Sequence, residues 1–196
     1  MNEPIGVIVL AAGQGSRFRQ VAGAQKDKLL TDCTGRDGGV RSVIEQVLVN
    51  LPASLEKRVL VTTEDRPQVI RMAKAYGCEI VVLESTGMGD SMAAAVTACP
   101  QLSGWLVMLG DMPFILPATT EQVLAKIEDD CIVVPVHQGE YGHPVGFGRS
   151  FGPELMALSG DHGAKSLFAS ARVVEVPVED PGVLWDVDVP AELVFG

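Results

Sequence analysis

Short runs of valine, leucine and isoleucine recur along the chain, and helix-like stretches separate them. Within these runs the apolar residues do not alternate with polar ones. This pattern is typical of strands that are buried on both faces, as in a parallel sheet covered by helices. The strand–helix–strand order therefore predicts an α/β fold with three layers, α/β/α, around a mostly parallel sheet. The predicted strands are residues 6–10, 58–62, 79–83, 105–109 and 131–135.

Helices are predicted between these strands from apolar residues at i, i+4 spacing and from capping signals. Asp65, with Gln68 three positions later, can cap one helix that ends at Gly77. Pro100 stops another helix, which is rich in small residues. The predicted helices are residues 40–50, 65–76, 91–99 and 119–127, and a short one begins at Pro190.

The loops that follow the strands are the places to look for a ligand, because ligands of parallel α/β sheets bind at the carboxyl ends of the strands. One further stretch, residues 137–148, is rich in glycine and polar residues and predicts a hairpin or an active-site loop. The candidate loops are residues 11–27, 63–66, 84–90, 110–113 and the stretch after Val136.

Composition limits the class of protein. The chain has 196 residues, of which 47% are hydrophobic, and its net charge is −10. This length favours one domain, residues 1–196, and this composition excludes a disordered chain. The acidic balance argues against binding of extended nucleic acid, which requires a basic face.

The cysteines and the amino-terminal residues bear on the compartment. No two cysteines form a C-x-x-C pair, so buried free thiols are expected at Cys33, Cys78, Cys99 and Cys131. The longest apolar run near the start, residues 7–12, is far shorter than the ~20 residues of a membrane span. We therefore expect a soluble, cytoplasmic protein with no membrane partner.

The first loop, residues 11–18 with the sequence AAGQGSRF, carries the strongest chemical signal. Gly13 and Gly15 allow backbone N–H groups to approach an anion, and Arg17 adds a fixed positive charge, which suits a triphosphate. The loop is neither a P-loop nor a dinucleotide fingerprint, because it lacks the Gly-Lys-Ser/Thr ending and has Phe18 in place of the third glycine. On composition alone, a tight turn without a ligand remains the alternative.

Carboxylates mark two other points. Asp111 directly follows the fourth predicted strand, between a glycine and the Met-Pro pair, where it can enter the ligand cleft and bind Mg²⁺. Asp186 and Asp188 lie on the same side of an extended segment, because side chains alternate along a strand. Two such carboxylates, together with basic groups on the phosphates, are the arrangement that phosphoryl-transfer chemistry needs.

The sequence LAAGQGSRF resembles the signature loop of nucleotidyltransferases, and it is most similar to their molybdenum cofactor branch, the MobA-like guanylyltransferases and MocA-like cytidylyltransferases. The resemblance implies a Rossmann-like, nucleotide-diphospho-sugar transferase fold. It implies that Arg17 and Lys28 contact the triphosphate, with Lys28 in a K-L-L motif. It also implies that these two residues and Asp111 are the catalytic residues. The segment between loop and lysine is longer than in typical members, so Lys26 competes with Lys28 for this role.

Four further motifs resemble the same family. By this resemblance, Asp111 in the motif G-D-M-P binds Mg²⁺. Asp188 in the motif W-D-V-D-V-P is favoured as the second metal ligand, and Asp186 in the same motif faces the acceptor or orients the loop. T-G-M-G-D-S, which opens a helix, resembles the segment that packs on the nucleotide base. The resemblance thus implies nucleotide contacts at Leu10, Ala11, Ala12, Gly13, Gly15, Ser16, Arg17, Lys28, Gly87, Gly89 and Ser91. The motifs G-H-P-V and G-D-H-G-A-K, together with the last acidic pair, imply acceptor contacts at His143, Pro144, Asp161, Lys165 and Asp186.

The function that the resemblance implies is Mg²⁺-dependent transfer of CMP from CTP to molybdopterin cofactor, with release of pyrophosphate. CTP is favoured over GTP because guanylyl members usually read A-G-G where this chain reads A-A-G. The alternatives are a guanylyltransferase, an NAD(P)H-dependent oxidoreductase of the nicotine-blue reductase type and a non-catalytic cofactor chaperone. A molybdoenzyme that receives the cofactor is a further implied partner.

The charge is unevenly distributed along the chain. Residues 1–41 carry a net charge of +2, and the remaining residues carry −12. The first loop is therefore where a phosphate-rich ligand can bind, and the carboxylates are compatible with it through a bound cation.

Overall fold

A mixed sheet of eight strands forms the centre of the computed structural model, which describes residues 4–196. A separate two-stranded hairpin follows the first helix. In chain order the strands are β1 (Ile5–Leu10), β2 (Asp32–Thr34), β3 (Val40–Ser42), β4 (Arg58–Thr63), β5 (Glu79–Leu83), β6 (Gly104–Leu109), β7 (Cys131–His137), β8 (Glu140–Tyr141), β9 (Val145–Gly148) and β10 (Arg172–Pro177).

The strand order in the large sheet is β10-β7-β9-β6-β1-β4-β5, and β8 pairs with the end of β7. Strand β1 is parallel to both of its neighbours, β4 and β6. Strand β9 runs antiparallel between β6 and β7. All five predicted strands are present, so the prediction of a mostly parallel sheet is confirmed. Residues 172–177 add an edge strand that the hydrophobic pattern does not predict.

The sheet is buried on both faces, as its uninterrupted apolar runs predict. The helices are α1 (Ser16–Ala22), α2 (Val43–Val49), α3 (Pro67–Ala75), α4 (Met88–Ala98), α5 (Pro117–Leu124) and α6 (Gly152–Met156). Val7 and Val9 of β1 join a core cluster with residues of four helices, α1, α2, α3 and α5, on one face. Ile8 joins a second cluster on the other face with residues of α4 and α6.

All four helices predicted between the strands begin at other residues in the structure. The helix predicted over residues 40–50 begins only at Val43, because Ser42 accepts a hydrogen bond from the Glu45 amide and residues 40–42 pair with β2 instead. Helix α4 begins before Ser91, at Met88, and α5 begins at Pro117.

The cap predicted for α3 is wrong. Asp65 does not cap α3; its carboxylate accepts a hydrogen bond from Thr63. Pro67 occupies the first helical position, which favours it because that position needs no N–H donor. The helix predicted at Pro190 is a short 3-10 turn, Pro190–Leu193.

The cysteine prediction is confirmed, since all four thiols are free and buried. The predicted hairpin in residues 137–148 is also present, formed by β7 and β8. Among residues 4–196, no helix is both long enough and apolar enough to cross a lipid bilayer.

Candidate active site

The first loop and Asp111 meet because β1 and β6 are neighbouring parallel strands that end side by side. Leu10 is in register with Leu109, and the Gly110 amide donates a hydrogen bond to the Leu10 carbonyl at 2.8 Å. The chain leaves the sheet at the same edge after both strands. Residues far apart in sequence are thereby brought to one cleft.

Gly15 shapes the first loop. Its φ of +63° lies in the left-handed region, which glycine adopts without the steric cost that other residues incur. A Cβ at this position would lie 3.4 Å from Cγ of Lys28, so the lysine side chain passes directly over the glycine. The loop and the K-L-L motif are therefore packed against each other.

Three carboxylates converge beside this loop. One oxygen from each of Asp111, Asp186 and Asp188 lies within 4.8 Å of the others. The Val187 amide donates to the Asp111 carbonyl at 2.9 Å, and the Glu192 carboxylate accepts from the Asp188 amide at 2.6 Å. Three carboxylate oxygens at this spacing match the hard-oxygen ligands that Mg²⁺ or Mn²⁺ prefers.

Two basic side chains face these carboxylates. Lys28 Nζ lies 2.7 Å from Asp111 Oδ2 and 3.3 Å from Asp188 Oδ1, and the Lys28 side chain is only 10% exposed. Arg17 Nη1 lies 3.0 Å from Asp188 Oδ2, on an exposed side chain. Lys26 is exposed and lines a separate groove. Of the two competing lysines, the structure therefore brings Lys28 to the carboxylates.

The charges of this cluster alter two pKa values. Burial alone would lower the pKa of Lys28, but the charges and hydrogen bonds of Asp111 and Asp188 outweigh it, and the net pKa is raised. Desolvation, together with the charges of Asp188 and Asp111, raises the pKa of Asp186. Lys28 is therefore a cation at neutral pH, which suits it to binding phosphate rather than to proton transfer.

A narrow cleft opens from this cluster along the first loop. Its wall contains Lys28 and Asp111 together with most of the nucleotide contacts that the resemblance implies. Two of the implied contacts, Ser16 and Arg17, are exposed and do not line this cleft. The lining residues are Leu10, Ala11, Ala12, Gly13, Gly15, Lys28, Leu29, Thr86, Met88, Ser91, Leu109 and Asp111.

A second cavity of about 590 Å³ adjoins the cleft and shares Leu10, Met88 and Leu109 with it. Most of its wall is apolar or aromatic. His143 and Lys165, two of the predicted acceptor contacts, provide polar atoms in this wall. The other lining residues are Met92, Val107, Val134, Tyr141, Gly142, Val145, Phe147, Gly163, Ala164 and Phe168.

Several predicted contacts lie elsewhere. A Cβ at Gly87 would lie 2.5 Å from the Gly160 carbonyl oxygen, and one at Gly89 would lie 2.5 Å from that of His162. These glycines thus permit close packing of the α4 start against the loop at residues 159–162, and neither lines the cleft. Asp161 is exposed on that loop, and Pro144 is buried outside the cavity wall.

Two residues with evident structural roles at the site were not predicted from the sequence. Arg66 contacts the first loop, and Glu192 holds the segment that carries Asp188. The only sequence signals were a charged residue in a loop after a strand and an acidic residue after the last proline. Neither signal distinguishes such a role from an ordinary surface charge.

His143 is uncharged at neutral pH. Burial lowers its pKa to about 4, although the charge of Asp111 acts in the opposite direction. A neutral imidazole can donate one hydrogen bond and accept another, so it can bind a polar group of a ligand without adding charge.

The depressed pKa predicts a specific loss of stability in acid. Between the ordinary pKa of about 6.5 and about 4, the unfolded chain takes up a proton at His143 that the folded chain does not. The free energy of unfolding should therefore fall through this window, by up to about 3 kcal/mol from this residue. Urea unfolding at pH 7, 5 and 4 measures it. His143→Gln should flatten the fall, whereas His162→Gln, at an exposed position, should not; an equal acid loss in both variants contradicts the prediction.

Comparisons with known proteins give the family of this chain. A family model described as a MobA-like NTP transferase domain matches residues 7–176. The bifunctional protein GlmU of Sphingopyxis alaskensis is 30% identical over 156 residues, which cover 76% of this chain and 32% of that protein. The chain thus spans about a third of the length of this curated relative.

Solved structures share the fold. Rv0371c of Mycobacterium tuberculosis H37Rv superposes with a TM-score of 0.77 at 26% identity, over 98% of this chain and 96% of that one. Molybdopterin-guanine dinucleotide biosynthesis protein A of Archaeoglobus fulgidus superposes with a TM-score of 0.64 at 22% identity, over 96% of this chain and 94% of that one. A manganese complex of Rv0371c has also been solved, and it superposes with a TM-score of 0.69 at 23% identity, over 91% of this chain and 89% of that one. The predicted Rossmann-like nucleotidyltransferase fold is confirmed.

Proposed function

The chain belongs to the MobA-like NTP transferase family, and on that premise we propose that it transfers CMP from CTP to the terminal phosphate of a molybdopterin-type acceptor. The observation that carries the proposal is the convergence of Lys28 and Arg17 with three carboxylates at the end of β1 and β6. Cationic and carboxylate groups in one cleft match a nucleotide triphosphate that binds together with a divalent cation.

The reaction needs no nucleophilic side chain. An oxygen of the acceptor's terminal phosphate forms a bond to the α-phosphorus of CTP, the bond from that phosphorus to the bridging oxygen of the β-phosphate breaks, and pyrophosphate leaves with the electron pair. Lys28 and Arg17 bind the phosphate oxygens, and the loop glycines let the backbone approach them. Asp111 and Asp188 would hold Mg²⁺, which when bound neutralises charge on the phosphates.

The second cavity supports an acceptor with a flat, mostly apolar body. Its wall is built mostly from aliphatic and aromatic side chains, and His143 and Lys165 add polar groups to it. The Tyr141 hydroxyl already donates to Glu175. A polyhydroxylated sugar would leave hydroxyl groups without partners against such a wall, and an unpaired buried polar group costs about 1–3 kcal/mol. A heterocyclic ring system is the better match.

A product assay tests the proposal. With CTP, Mg²⁺ and molybdopterin, we expect stoichiometric pyrophosphate and a cytidine dinucleotide, with GTP a poorer substrate. The guanine member of the family among the structural neighbours makes GTP the second candidate. A preference for GTP would show that the transferred nucleotide is GMP rather than CMP. NAD(P)H oxidation without pyrophosphate release would contradict nucleotidyl transfer. Tight pterin binding without turnover of any nucleotide would favour a chaperone.

A further inference from the structure

Arg66 is a nearly buried arginine in the loop between β4 and α3, with only 6% of its surface exposed. Its Nη1 donates to the Ala11 carbonyl at 2.8 Å, and its Nη2 donates to the Gly13 carbonyl at 2.5 Å. Thr62 Oγ1 also donates to the Ala11 carbonyl, at 3.0 Å. The guanidinium therefore binds the backbone of the first loop at two points.

These two hydrogen bonds fix the direction of neighbouring backbone amides. In a trans peptide the N–H points opposite to the C=O of the same peptide plane. The amides of Ala12 and Gln14 must therefore point away from Arg66. Within residues 4–196, the amides of Ala12, Gly13, Gln14 and Gly15 donate no hydrogen bond to another protein group, which leaves them for an anion.

Arg66 also contacts the segment that carries the phosphate-binding lysine. Its Nε lies 3.4 Å from Asp27 Oδ2. The other oxygen, Asp27 Oδ1, accepts a hydrogen bond from the Leu29 amide at 3.0 Å and so caps the 3-10 turn Lys28–Leu30. One guanidinium thus joins the glycine loop to the lysine turn.

We propose that Arg66 is a positioning residue for the triphosphate. It fixes the loop amides and Lys28 in position relative to each other. The inference rests on the proposed function, because it assumes that the cleft binds a nucleoside triphosphate. Three of its N–H groups face the Ala11 carbonyl, the Gly13 carbonyl and Asp27, so we place its action on the phosphates through the loop and the lysine turn. The planar fork of an arginine can reach three acceptors in these directions, whereas the single ammonium of lysine cannot.

Arg58 offers a matched control for a purely structural arginine. It is the first residue of β4, at the amino end of the strand, whereas Arg66 follows the carboxyl end. Like Arg66, it donates hydrogen bonds to backbone carbonyls. Its Nε donates to Leu55 at 2.8 Å, Nη1 to Tyr76 at 3.2 Å and Nη2 to Pro52 at 3.4 Å. Replacement of either arginine removes comparable carbonyl contacts, but of the two only Arg66 binds residues that line the cleft, Ala11 and Gly13.

The experiment compares Arg66→Lys, Arg66→Met and Arg58→Met with the wild-type chain. Thermal unfolding gives the stability of each variant, titration with CTP and Mg²⁺ gives the dissociation constant, and steady-state kinetics give kcat and both KM values. We expect Arg66→Lys to fold and to raise the dissociation constant and KM for CTP about tenfold, with kcat and the acceptor KM within about twofold. Arg66→Met should show a larger rise, and Arg58→Met should lose stability while its CTP affinity stays within about twofold.

The outcomes separate the inference from the proposed function. CTP affinity in Arg66→Lys equal to that of the wild type overturns the positioning role, even if Arg66→Met fails to fold. An equal loss of CTP affinity in Arg58→Met also overturns it, because the effect would then follow from stability. If the wild-type chain itself binds no nucleoside triphosphate, the proposed function fails and the inference fails with it.

Discussion

Replacing Asp111 with asparagine should lower metal-dependent pyrophosphate release by about 10³-fold or more, because a metal-binding carboxylate acts on charge that develops during transfer. The fold should survive, since Asp111 is only partly buried and its removal relieves repulsion among three carboxylates. Initial rates at saturating CTP and Mg²⁺ measure the loss, and thermal unfolding measures the stability.

Asp37→Asn is the control for this substitution, because Asp37 is an exposed carboxylate that pairs with Arg41 on the β2–β3 hairpin. It should retain the wild-type rate. Full activity in Asp111→Asn would remove Asp111 from the reaction, and equal losses in both variants would show that the effect is not specific to the cluster.

Replacing Lys28 with methionine should have two opposite effects. Turnover should fall by about 10²–10³-fold, because in the proposed function this cation stabilises the triphosphate. Binding of Mn²⁺ without nucleotide should become about tenfold tighter, because Lys28 Nζ lies 2.7 Å and 3.3 Å from the oxygens that the metal needs. Charges this close interact by about 4 kcal/mol at the dielectric typical of a protein surface, so removing the lysine removes a strong competitor.

Mn²⁺ titration followed by electron paramagnetic resonance measures the second effect independently of activity. Lys26→Met is the matched control, since Lys26 is the exposed lysine that precedes Asp27. It should change neither the metal affinity nor the rate. Unchanged or weaker Mn²⁺ binding in Lys28→Met would contradict competition between lysine and metal, and loss of turnover in Lys26→Met would exchange the roles of the two lysines.

The strands could be predicted because their signal is local. Runs such as residues 6–10 and 105–109 are apolar without alternation, and only a strand buried on both faces uses every residue of such a run. The edge strand β10 was not predicted because Glu175 interrupts its apolar run, whereas the run of the other edge strand, β5, is uninterrupted after Glu79. The late start of α2 depends on pairing with β2, which is not a local property of its sequence.

The residues of the candidate site also differ in how far a local sequence signal predicts them. Asp111, Asp188 and Lys28 lie in recognisable motifs, but their contacts join positions 83 and 160 residues apart and follow only from the fold. Gly87 and Gly89 stand in a motif too, yet they pack against the loop at residues 159–162, which the sequence does not place beside them. Arg66 has no motif at all, and its hydrogen bonds to loop carbonyls are visible only in three dimensions.

The uneven charge of the chain also has a structural explanation. Arg17 and Lys28 come from the basic first 41 residues, and the carboxylates that they contact come from the acidic remainder. The two portions meet at a single cleft, where a small nucleotide with a divalent cation can balance both signs of charge.

Transfer of CMP itself is tested most directly by following CTP labelled at the α-phosphorus in the presence of Mg²⁺ and molybdopterin. The proposed function predicts that the label moves into an acid-stable dinucleotide with the acceptor, while an equal amount of unlabelled pyrophosphate is released. Label that remains in CTP, or that appears only as free CMP whatever the acceptor, would contradict it.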